Sequence, residues 1–155
     1  MFKIIDGNIL NATEQYVAHQ CNCKTRTNAS GVAAAIFAAW PWSEVYLNRT
    51  EDGTLGSISV HGNGENERFV INMYAQKYPG GPTRYESKQF RLNAFTVCLE
   101  EIMKIEGLKS IALPHGVGCG LAGGDWGEYE LLLVRFHQGF KDENVDVTLY
   151  HHHGG

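Results

Sequence analysis

The sequence predicts a three-layer α/β/α domain built on a central mixed sheet, and three observations carry that reading. Strand-like and helix-like stretches alternate along positions 1–150, the pattern that places helices on both faces of a mostly parallel sheet. An apolar, β-branched run at 110–114 leads into five glycines between Gly116 and Gly124 and then into a helical pattern. The chain of 155 residues, 43% hydrophobic and 19% charged, has the composition of one globular domain. A chain of that length buries about two thirds of the surface it would expose unfolded.

The elements follow in order. Positions 2–6 read as a first strand, with Gly7 and Asn8 as the turn after it. Positions 16–22 (YVAHQCN) form a second strand, whose alternation puts His19, Cys21 and Cys23 on one side and Ala18, Gln20 and Asn22 on the other. After a polar stretch at 24–30, positions 32–40 (VAAAIFAAW) are alanine-rich and apolar nearly all round. They predict a well-buried helix stopped by Pro41. Positions 55–61 and 68–74 are strand-like and joined by Gly62-Asn63-Gly64, a hairpin signal. Positions 78–82 (YPGGP) are a loop of turn-formers. Apolar residues at Leu92, Phe95, Leu99, Ile102 and Met103 predict an amphipathic helix over 86–106, ended by Gly107. A strand at 109–114, a helix at 125–140 and a last strand at 145–150 complete the domain. His151 to Gly155 (HHHGG) read as a flexible end.

Strand, glycine loop and helix in succession form an anion cradle. Glycines admit positive φ and let a ligand approach bare N–H groups, and the helix start adds partial positive charge. Gly118, Gly120 and Gly123 spell G-x-G-x-x-G, but a dinucleotide fingerprint opens a βαβ unit with an acidic residue about twenty positions on. Only one helix and one strand remain here. A P-loop needs Lys and Ser or Thr after its last glycine, and this loop ends in Gly124-Asp125-Trp126. Open α/β sheets bind ligands beyond the carboxyl ends of their strands. The segments 22–31, 75–82 and 115–125 all follow strand ends and are expected to line one crevice, with two glycine-containing loops around a diphosphate.

A formal charge of −4 without a basic block argues against nucleic acid or an anionic membrane as the main partner. No apolar run approaches the ~18 residues of a membrane span. The four cysteines read as reduced thiols of a cytoplasmic protein rather than disulfides, since the first residues enter a strand directly and show no secretory segment.

GNIL (7–10), HQCNC (19–23), the ASGVAAAI helix entry, RYES (84–87), GCGLAGGDW (118–126) and the final VTLY stand out together. In this order and spacing the chain resembles a macrodomain over residues 1–150. It looks closest to the branch holding the ADP-ribose-1″-phosphate phosphatase and the terminal ADP-ribose protein glycohydrolase. The resemblance implies an ADP-ribose cleft, with free ADP-ribose or an ADP-ribosylated substrate as partner, no cofactor or metal, and a monomer. It implies hydrolysis of a distal-ribose substituent, or non-catalytic reading of ADP-ribose. It places Asn8 and Ile9 at the adenine and Asn22 at the distal ribose. Gly31, Val32 and Ala33, with Ser30, correspond to the first diphosphate loop. Gly116, Val117, Gly118, Cys119, Gly120 and Leu121 correspond to the second. The sequence departs from relatives where a glycine run is replaced by residues 25–30, with Arg26 or Ser30 expected to supply side-chain contacts. Gln76 and Ala122 stand where the glycohydrolase has Lys and Asp, so that chemistry is not expected.

Two residues are candidates for catalysis. His19 has the ordinary pKa of an acid or base near neutrality, or is a hydrogen-bonded histidine inside a strand. Asp125 holds water against the distal ribose, or caps the helix that follows. His19, Cys21 and Cys23 share a face, but a structural zinc site takes a second, distant pair of ligands. Cys119 has no basic neighbour in sequence and reads as a loop residue. The tryptophans and tyrosines read as core, except Tyr150, placed to flank a base.

Overall fold

A computed structural model describes residues 1–142 and 144–152. Six strands, β1 (Phe2–Asp6), β2 (Tyr16–Asn22), β3 (Ile58–His61), β4 (Phe69–Gln76), β5 (Ser110–Pro114) and β6 (Asp146–His151), make one sheet in the order β1-β6-β5-β2-β4-β3. Every neighbouring pair is parallel except the β3–β4 hairpin, so the sheet is mixed. The carboxyl ends of the five parallel strands therefore open on one edge.

Three helices, α1 (Gly31–Ala39), α2 (Lys88–Met103) and α3 (Trp126–Gln138), cover the sheet. The period-2 alternation of β2 divides the core in two. Tyr16 and Ala18 join Phe95, Leu99 and Ile102 of α2 and Tyr129, Leu133 and Phe136 of α3 on one face. Val17 and Cys21 join Ile36 and Phe37 of α1 on the other. This is the three-layer α/β/α arrangement, with buried aliphatic and aromatic area as its main source of stability. No helix among the described residues is long and apolar enough to cross a membrane.

The boundaries of β1 and β2 match the sequence reading, those of β4, β5 and α3 shift by one or two residues at their ends, and four elements differ in ways the structure explains. α1 was expected to be buried all round, yet only Ile36 and Phe37 are buried and Val32 is 48% exposed. An alanine-rich helix has no polar face to mark its outside, and the sheet covers just one side of this one. β3 begins at Ile58 because Ser57 folds back on Thr54 in a turn (Oγ to O, 2.6 Å). α2 begins two residues late, where Ser87 caps it by accepting from the Phe90 N–H at 3.1 Å. His151, placed in the terminal tail by sequence, closes β6 opposite Asp6. The remainder of that tail, 153–155, lies outside the described residues. The four cysteines are unpaired, and Cys21, Cys23 and Cys98 are buried.

Candidate functional site

A cavity of about 790 Å³ opens at the carboxyl edge of the sheet. The ends of β2, β4, β5 and β6 contribute Asn22, Gln76, Pro114 and His151, and the three segments expected to converge do so. Thr25, Thr27, Asn28, Ala29 and Ser30 lead into Gly31, Val32 and Ala33 on one wall. Gly116, Val117, Gly118, Cys119, Gly120, Leu121 and Ala122 form the other, and Pro79 and Gly80 come from the loop after β4. Among the described residues that line the cavity there is no Asp, Glu, Lys or Arg. Its polar lining consists of backbone groups, amides, hydroxyls and histidines.

Each wall is built for backbone contact by a different local device. Gly31 starts α1 at φ +61°, and Ser30 stands at the cap position without a capping side-chain bond. The first N–H groups of α1 thus face the cavity end of the helix, where the dipole is positive. In the second wall Gly118 has φ +79°, and a Cβ there would sit 2.5 Å from the ring of buried Tyr129. The Gly124 N–H donates to the Gly118 carbonyl at 3.0 Å, pinning the loop to the start of α3. Leu121, 70% exposed, reaches across toward Gly31, with its Cδ1 3.7 Å from where a Cβ would stand.

The floor consists of amides. Gln20 Nε2 donates to Gln76 Oε1 (2.8 Å), and Gln76 Nε2 donates to the Tyr78 carbonyl (2.8 Å). Gln20 Oε1 is buried without a partner among the described residues, leaving an acceptor to be satisfied. Asn22 Oδ1 is occupied by the N–H groups of Lys24 (3.0 Å) and Thr25 (2.8 Å). What Asn22 offers a ligand is its amide N–H₂.

His19 lines the cavity but is 1% exposed. Its Nε2 lies 2.6 Å from Asn72 Oδ1, and Asn72 Nδ2 donates to the Ser43 carbonyl at 2.9 Å. The Ser43 carbonyl fixes which way Asn72 faces, so Nε2 of His19 carries the proton and Nδ1 is bare. Burial pushes the His19 pKa down to about 4, more than the Asn72 bond pushes it up, and the ring is neutral at pH 7. Cys21 Sγ lies 3.7 Å from Nε2, yet no group of three potential metal ligands occurs among the described residues. Cys119 is held protonated, its pKa pushed up to about 11 by burial and by the charge of Asp125.

Asp125, Asn8 and Ile9 do not line the cavity. Asp125 caps α3, accepting from the Gly127 N–H at 3.3 Å. Asn8 follows β1 and accepts from the Leu10 N–H at 2.9 Å, and Ile9 packs into the core on the α1 side. Both lie beside the His151 end of the cavity, where the Gly7 N–H donates to the His151 carbonyl at 3.0 Å. Two other expectations are corrected. Arg26 turns away to Asp52 (3.1 Å) because a carboxylate is within its reach on the surface. Tyr150 points to the α1 face by strand alternation, where its hydroxyl donates to Glu14 at 2.5 Å. In its place His151 stacks on His115 (centroids 4.1 Å, 17°), with Trp126 at 4.6 Å from His115. Neither Tyr46, which lines the cavity from a segment between elements, nor the His115–His151 stack had a signal in the local pattern.

Glycine-bearing loops that present backbone donors at the carboxyl edge of a mostly parallel sheet give an α/β domain the geometry that suits a phosphorylated ligand. No protein-family model and no curated protein sequence matches the chain. Solved structures do. The macrodomain of Mycobacterium tuberculosis DarG is 25% identical, covers 97% of each chain and superposes with a TM-score of 0.78. The macrodomain of Thermus aquaticus DarG is 25% identical over 97% of each chain, with a TM-score of 0.70. A variant of the Oceanobacillus iheyensis macrodomain, solved with ADPR, shares the fold at 17% identity, 98% of this chain, 84% of that chain and a TM-score of 0.68. The chain has the macrodomain fold.

Proposed function

We propose that this macrodomain binds ADP-ribose in the cavity and hydrolyses a substituent on the distal ribose, a 1″-phosphate or a protein carboxylate ester. The observation that carries the binding is the pair of facing loops, whose N–H groups and helix start match a diphosphate in a fold also solved with ADPR and with ADP. In this reading the diphosphate lies between residues 30–33 and 116–121. The Gln20 acceptor and the Asn22 amide then meet ribose hydroxyls, and Asn8 and Ile9 extend the site toward the base.

An uncharged lining shapes the chemistry. The cavity lining holds no carboxylate, lysine or arginine, and in this reading the rate advantage comes mainly from orientation and from backbone donors near the developing charge. His19 and Asp125 enter as positioning residues, the first through the β2 floor and the second through the cap that pins the second wall. That same lining favours a second reading, a module that reads ADP-ribose without turning it over.

Calorimetry with ADP-ribose tests the binding, and absence of heat at millimolar concentration would sink it. Phosphate release from ADP-ribose-1″-phosphate, and ADP-ribose release from a carboxylate-linked peptide, then separate hydrolase from reader. Under the hydrolase reading, His19→Ala and Asp125→Ala lower turnover with folding intact, and full turnover in both removes the two residues from the mechanism.

A further inference from the structure

The start of α2 carries a buried ion pair that lies behind the cavity rather than in it. Glu86 and Arg91 are each 2% exposed at the side chain and meet at 2.7 Å. Arg91 Nη1 also donates to the carbonyls of Gly80 (2.6 Å) and Ala122 (3.0 Å), and Nη2 to that of Tyr78 (3.0 Å). Glu86 accepts from the N–H groups of Lys77 and, at 3.1 Å, Tyr78. One guanidinium therefore ties the loop after β4 to the second wall. Two of its carbonyl partners, Gly80 and Ala122, belong to residues that line the cavity. The two loops are also in direct contact, since a Cβ at Gly123 would fall 2.7 Å from Pro82 Cδ.

We propose that Arg91, held in place by Glu86, is a positioning residue for the site. It clamps the loop after β4 against residues 116–122, and so aims their N–H groups at the ligand. The identity of that ligand rests on the reading above, but the clamp does not. The attraction of the two charges alone does not account for the arrangement, because apolar side chains of similar volume commonly replace a buried ion pair at no cost in stability. Such a replacement cannot hold three carbonyls. Lysine cannot either, because one ammonium cannot reproduce the planar fork that spans both loops.

The test compares the wild type with Arg91→Lys and with the double variant Glu86→Leu/Arg91→Met. Amide hydrogen exchange in the ligand-free protein is expected to quicken about tenfold over residues 116–122, while β2 and β4 stay protected. ADP-ribose affinity is expected to fall about tenfold in either variant, and the double variant, which leaves the carbonyls and N–H groups held by the pair without partners, is also expected to melt lower. Unchanged exchange over 116–122 in Arg91→Lys overturns the proposal, as does wild-type affinity in either variant. If the double variant does not fold, Arg91→Lys decides alone. If the wild type gives no heat with ADP-ribose, the ligand assignment fails, and hydrogen exchange still decides whether Arg91 is a clamp.

Discussion

On one wall of the cavity, residues 22–31, the chain holds its shape with side chains. Asn22 closes a turn onto Lys24 and Thr25, and Asp52 reaches across to Lys24 (2.5 Å) and Arg26 (3.1 Å) at the surface. On the other, residues 116–124, the backbone itself is packed. Gly118 and Gly124 press on Tyr129, and Arg91 grips the Ala122 carbonyl from behind. Surface ion pairs contribute little rigidity, whereas a loop pressed on a buried ring moves only if the core moves. The second wall is a preformed cradle and the first an adjustable one.

The sharpest way to break this contrast is to place a methyl group on each wall. Gly118→Ala combines left-handed strain with a clash on Tyr129 and should cost about 3 kcal/mol, roughly 10 °C in melting temperature, with loss of ADP-ribose binding. Gly31→Ala meets only the Leu121 side chain, at ordinary contact distance, and should cost about 1–2 kcal/mol from strain alone. Thermal melts and calorimetry on the two variants measure the difference. Equal costs would mean that the second wall is no better packed than the first.

His19 sharpens the contrast from below, since β2 roots the first wall in the core. Its pKa is about 4 folded and near 6.5 unfolded, so the unfolded chain binds more protons between those values. Stability is therefore whole above about pH 6.5 and falls as the pH drops toward 4. At pH 5 the loss from this residue is about 2 kcal/mol relative to pH 7.5. Urea unfolding of the wild type and His19→Gln at both pH values isolates it, and the variant should show the smaller drop. An identical drop in both would mean that His19 is not held neutral in the fold.

Much of this was legible beforehand. The strand–glycine loop–helix order located the second wall because glycine spacing is a local signal, and β1 and β2 kept their boundaries because alternation is local too. Convergence of 22–31, 75–82 and 115–125 followed from strand ends sharing an edge. What escaped was set by tertiary partners. Arg91 lies in helical phase with Phe95, Cys98 and Ile102, a charge on an apolar stripe whose meaning depends on three carbonyls distant in sequence. Arg26 was assigned to the ligand because no local pattern shows Asp52, 26 residues on, competing for it. The stack of His115 on His151 joins residues from two strand ends that only the β5–β6 register brings together.

The smallest expected effect concerns the same carboxylate. Asp52 is exposed, and its pKa is held down by the Lys24 bond, which outweighs its slight burial, so it is ionised at neutral pH and offsets two cations beside Thr25 and Thr27. Asp52→Asn should leave the melting temperature within about 1 °C, because exposed pairs add little to folding. It should also free Lys24 and Arg26 to attract the diphosphate, raising ADP-ribose affinity roughly two- to fivefold at low salt. The gain should vanish near half-molar salt, because exposed charges are then screened within about 4 Å. A large fall in melting temperature would instead show that the Asp52 bridge holds the first wall, and both walls would then be rigid. Calorimetry at two salt concentrations beside a thermal melt distinguishes an adjustable wall from a fixed one.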